Sequence, residues 1–267
     1  MGADPEEHNA LVPGVPAWMN SPMRKWFVAV FSPEREGMSS SRLMHEFDMV
    51  TRNKFPLAPD HDKIGADYVY QTIGEDMVLK LADYVVFSEA RPDYVWPLDQ
   101  ILASSSSMWK VGTRAGVAGL ELRVPEGVQI AAEAVMASQT TAGDLLSEAW
   151  HAAFGKEPDF EDAYDKAIKA VEEAGWPVVS PLNVRTSLGT MARDMENQGN
   201  WKLELGANPK HPSDDVVCKM VRSLWEGQES RHGGNGYRKP TQGEAEAAVM
   251  LAVPLVQWFS SGAVARR

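Results

Sequence analysis

Residues 213–262 read SDDVVCKMVRSLWEGQESRHGGNGYRKPTQGEAEAAVMLAVPLVQWFSSG, and the class of fold turns on this stretch. Ser213 suits an N-cap, with Asp214 and Asp215 beside the positive end of a helix dipole. Val217, Val221, Leu224 and Gln228 then recur on one helical face, flanked by Met220 and Trp225. The helix is expected to run out at Arg231-His232, because Gly233, Gly234 and Gly236 remove helix propensity. Thr241 opens a second helix, and Glu244 three residues later completes a capping box. Ala245, Ala248, Val249, Ala252, Leu255, Val256 and Phe259 follow at helical spacing, with Pro254 inside the run as an expected kink. Two packed helices with Arg-His-Gly between them imply a helical bundle.

The rest of the C-terminal half repeats this pattern. Val128–Phe154 is helical in period, with Gly155 as a natural C-cap residue. Asp159 caps a helix carrying Phe160, Ala163, Tyr164, Ala167, Ile168 and Val171, which Gly175-Trp176-Pro177 is expected to stop. Thr186–Met195 gives another helix, and WKLEL (201–205) a short extended segment.

Upstream, residues 1–22 are polar and proline-rich and read as an irregular arm, with Trp18, Trp26 and Phe27 as anchors. Helices are expected over Met23–Phe31, Ser39–Phe47, Asp67–Val86 and Leu98–Ala103. Trp109–Val111 and Leu120–Val124 alternate apolar and polar residues around GTRAGVAG, which reads as a β-hairpin. The organisation is therefore an arm (1–22), a mostly helical N-terminal region with the hairpin at 109–124 (23–127), and a C-terminal helical bundle (128–267). The fold class is mainly α.

Composition sets limits on function. A hydrophobic content of 44% and a charged content of 24% are ordinary for a globular protein. No apolar run approaches the roughly 18–20 residues that cross a bilayer, so no membrane association is expected. The start, MGADPEEHNALVPG, lacks the basic-then-apolar order of a secretory signal, and the single Cys218 suits a reducing cytoplasm. The net charge of −11 opposes indiscriminate binding to polyanions. It is unevenly spread, being −5 over residues 1–120, −8 over 121–205 and +2 over 206–267. Arg222, Arg231, Arg238 and Lys239 make the surroundings of the Arg-His-Gly break locally basic.

LWEGQESRHG, the helix EAEAAVMLAVPLVQWF, AYDKAIKAVEEAG and SLGTMARDM, taken together, resemble the C-terminal domain of bacterial abortive-infection proteins, a helical module related to the HEPN superfamily. The resemblance covers roughly residues 128–264 and implies a phage-defence protein that binds or cuts RNA. Nuclease members of that superfamily have an arginine, then four to six intervening residues, then a histidine, and need no metal. Arginine would stabilise a crowded phosphate while histidine exchanges a proton near neutral pH. His232 matches the histidine, but positions 225–227 are Trp225, Glu226 and Gly227, so the arginine is missing. Arg222, Gln228, Arg231, Arg238 and Lys239 remain as residues that could contact an anion or RNA around His232. The bland alternative makes Arg231 and His232 a simple helix terminus. The matching alternative for the whole chain is a noncatalytic helical interaction or dimerisation protein.

The resemblance also implies a homodimer, and the 244–259 helix has more apolar positions than one face requires. No cofactor is expected. The sequence contains no G-x-S-x-G, no G-x-x-x-x-G-K-[ST] and no G-x-G-x-x-G, and its six histidines show no metal-ligand spacing.

Overall fold

The computed structural model describes residues 11–31, 40–52, 66–89, 91–114, 116–183, 186–205, 213–229 and 237–266. Among them are ten helices, and the fold is mainly α with a small antiparallel hairpin. Contacts divide the chain between Arg123 and Val124 into two compact units.

The N-terminal unit is built from α1 (Ala17–Val30), α2 (Ser40–Thr51), α3 (Ala66–Glu89), α4 (Pro92–Ser104) and the hairpin β1 (Trp109–Arg114) and β2 (Val117–Leu122). α1 takes in residues 17–22, which lay inside the expected arm, because Pro22 is accommodated within the helix. Met19, Met23, Trp26 and Phe27 form its buried stripe against Leu81, Val85, Leu98 and Leu102. The Trp26 indole N–H donates to the Tyr94 carbonyl at 2.9 Å, so α1 and α4 are joined by a buried polar contact as well as by packing. Of the three expected anchors, Trp26 and Phe27 are buried, whereas Trp18 is 63% exposed with its N–H on the Ser105 carbonyl. α2 buries Leu43, Met44 and Phe47, the face read from the sequence.

The hairpin strands are longer than the alternation implied and pair from Trp109↔Leu122 to Arg114↔Val117. Much of GTRAGVAG is therefore strand, with Gly116 at φ +83° in the turn. Trp109 and Leu120 enter the core, and Val111 and Leu122 pack against it. The opposite face carries Lys110 across from Glu121. The backbone N–H of Val111 donates to Asp99 of α4 at 3.1 Å, and that of Leu120 to Asp83 of α3 at 2.6 Å.

The C-terminal unit contains α5 (Glu126–Met136), α6 (Thr141–Phe154), α7 (Phe160–Val179), α8 (Leu188–Gln198), β3 (Trp201–Leu203), α9 (Ser213–Glu226), α10 (Gln242–Ser261) and β4 (Val264–Arg266). α7 is its central element and packs on α6, α8 and α10. The single helical run expected over 128–154 is divided, because Thr140 accepts from Gly143 N and starts a new helix. Asp159 caps α7 as expected, accepting from the N–H groups of Glu161 and Asp162. Pro177 does not stop α7, which continues to Val179. Pro177 and Glu173, the residue whose carbonyl a Pro177 N–H would have met, are both exposed. WKLEL does contain a strand, but its partner β4 gave no warning in the sequence. Trp201↔Arg266 to Leu203↔Val264 pair antiparallel.

Candidate functional site

The residues singled out near the basic break come from α9, the segment before α10, and α10 itself. α9 is amphipathic as read: Val217, Val221, Leu224 and Gln228 are all buried. It ends earlier than expected, at Glu226. Gly227 follows, its N–H still on the Ser223 carbonyl at 3.0 Å. The Tyr164 hydroxyl of α7 donates to the Leu224 carbonyl at 3.1 Å, satisfying one of the helix's last acceptors. A Cβ on residue 227 would collide with that hydroxyl. Arg231 and His232, with the junction they were expected to form, lie outside the described residues.

Each of the three described cations is engaged by carboxylates. Arg222 holds Glu196 of α8 through two nitrogens, at 3.1 and 2.5 Å, and reaches Glu226 one turn along its own helix at 3.5 Å. Arg238 makes a two-pronged contact with Glu244 at 2.7 Å per prong, and its Nε donates to Glu229 at 3.0 Å. Lys239 Nζ lies 3.5 Å from Glu161 at the start of α7. Tyr237 donates its hydroxyl to the other oxygen of that carboxylate at 2.6 Å. Arg238 and Lys239 are thus adjacent in the chain but held by different carboxylates, and Arg222 has a third set of partners. Gln228 is buried beyond the end of α9, with its backbone N–H on the Trp225 carbonyl.

The start of α10 fixes this geometry. Thr241 Oγ1 accepts from Glu244 N, and Glu244 Oε2 accepts from Thr241 N at 2.7 Å, which is the capping box read from the sequence. The same Glu244 carboxylate serves the Arg238 guanidinium. Its hydrogen bonds to Arg238, then to Thr241, hold its pKa down to about 2. The Arg238 pKa is raised by Glu244 and Glu229, and that of the Tyr237 phenol by its bond to Glu161. Glu161, Glu229 and Tyr237 were not foreseen as members. Glu161 and Tyr237 are 76 positions apart, and Glu161 carried only the ordinary signature of an acid in a first helical turn.

α10 buries Ala245, Ala248, Val249, Ala252, Val253, Leu255, Val256 and Phe259. It packs against α5, α6, α7, α9 and β4. Its surplus of apolar positions is therefore taken up by neighbours on several sides within the unit. Among the described residues no group of three His, Cys, Asp or Glu side chains could hold a metal ion, and no helix is long and apolar enough to cross a membrane. Comparison with protein-family models, curated proteins and solved structures finds no match to this chain.

Proposed function

We propose that this chain is a noncatalytic helical interaction protein of the abortive-infection kind, acting in the cytoplasm and holding a second copy of itself or another protein. The observation that carries this reading is the occupancy of Arg222, Arg238 and Lys239 by carboxylates. An RNA phosphate approaching Arg238 would have to displace Glu229 and Glu244, both on the same guanidinium. Electrostatic recognition of RNA depends on protein cations that neutralise phosphates and release their counterions, so cations already paired with carboxylates weaken it. The absence of an arginine at positions 225–227 supports the same reading.

The test is incubation of purified protein with total RNA in EDTA, with His232→Ala alongside. Intact RNA in both samples is the expected result. RNA loss that disappears in His232→Ala would instead establish the metal-independent endoribonuclease implied by the resemblance. Light scattering at micromolar concentration tests the dimer: a mass near twice 29.4 kDa supports self-association, and 29.4 kDa counts against it.

A further inference from the structure

Tyr237, Arg238 and Lys239 are three consecutive side chains, and all three bond to carboxylates on other segments. Tyr237 and Lys239 both reach Glu161, at the start of α7. Arg238 reaches Glu229, just beyond the end of α9, and Glu244 in the first turn of α10. These bonds differ in kind. The Arg238–Glu244 pair joins the segment to the helix it leads into. The bonds to Glu161 and Glu229 fasten it across to two other elements.

Tyr237, Arg238, Lys239 and Glu229 are exposed, and Glu161 is half-buried. None of the three segment side chains belongs to the buried apolar core. The helices on either side are secured differently, through Val217, Val221 and Leu224 on α9 and Val249, Leu255 and Phe259 on α10. Exposed ion pairs are individually weak, so such a fastening depends on its members acting together. It also responds to ionic strength, whereas buried apolar contacts do not weaken in the same way.

We propose that residues 237–239 form an electrostatic latch. The segment leading into α10 opens as a local unit when Glu161 and Glu229 are screened or neutralised, while the helical core stays folded. Opening bares Lys239 and the Tyr237 hydroxyl together and frees the Nε of Arg238, whose other two nitrogens stay on Glu244. The Arg238–Glu244 pair and the capping box remain as the hinge side, because they lie within the segment and the first turn of α10.

Hydrogen exchange on the full chain, followed by mass spectrometry of peptides that begin several residues before Tyr237 and extend to about residue 245, tests the latch. Raising salt from about 0.01 M to about 1 M shortens the screening length from about 30 to about 3 Å. Exchange at Arg238 and Lys239 should accelerate several-fold over this range, with protection in the middle of α7 and α10 unchanged. The Glu161→Gln/Glu229→Gln variant, which keeps one acceptor oxygen at each position but not the charge, should exchange fast at both salt levels. Equal exchange in wild type and variant at both salt levels overturns the proposal. So does loosening of α7 and α10 in step with the segment, because the fastening would then be part of the global fold.

Discussion

Lys110 Nζ lies 2.7 Å from Glu121 Oε1, and both side chains are more than nine-tenths buried. The pair sits directly across the hairpin, and the Glu121 carboxylate occupies the space that a Cβ on Gly112 would fill. Glycine at 112 is therefore a packing requirement.

Breaking this pair should be costly. Glu121→Ala leaves a buried ammonium without its carboxylate and should lower stability by about 3–5 kcal/mol in urea unfolding. The double variant Lys110→Met/Glu121→Leu removes both charges and should recover most of that loss. Gly112→Ala should also destabilise, because the new methyl group displaces the carboxylate.

Glu172 supplies a pH dependence of known sign. Burial raises its pKa, and the bond it accepts from Leu188 N at 2.6 Å only partly opposes the shift. A carboxyl with a raised folded pKa contributes stability below its unfolded value, and that contribution is lost as pH rises through the folded value. Glu172→Gln keeps an acceptor for Leu188 without the charge. Its melting temperature should match wild type in mild acid and exceed it at neutral pH.

Glu244 has the opposite sign. Its pKa is held at about 2, so the contribution of its ionised form is present above the ordinary carboxylate range and lost as pH falls through about 2. Side-chain carboxyl NMR should place its midpoint there. In Arg238→Ala the midpoint should rise towards the ordinary value, because Arg238 is the largest cause of the shift.

Thr241→Ala removes one half of the capping box and should cost about 1 kcal/mol, read as a lower melting temperature. Thr241→Ser should restore it. Equal stability in all three proteins would mean that packing alone fixes the start of α10.

Signals carried by near neighbours in the chain were the legible ones. Asp159 and the Thr241–Glu244 box are helix starts written in three or four residues, and the buried face of α9 follows from its period. Helix ends were less legible. Pro22 and Pro177 read as breaks but lie inside helices, and α9 stops at a glycine that answers to Tyr164 of another helix. The strand β4 was invisible because three residues of alternation carry no signal without their partner Trp201–Leu203. For the candidate site, the sequence displayed the cations but not their carboxylate partners, since Glu161 and Glu196 meet Tyr237 and Arg222 only after folding.

The two aspartates that flank the hairpin limit how this ribbon can be recognised. In an antiparallel ribbon the N–H groups of Val111 and Leu120 point away from the partner strand, one along each outer edge. Asp99 takes the first and Asp83 the second. An incoming peptide that tried to extend the ribbon by strand addition would find the middle donor of either edge already occupied by a charged acceptor. At this hairpin, recognition is left to side-chain shape and charge rather than main-chain zippering.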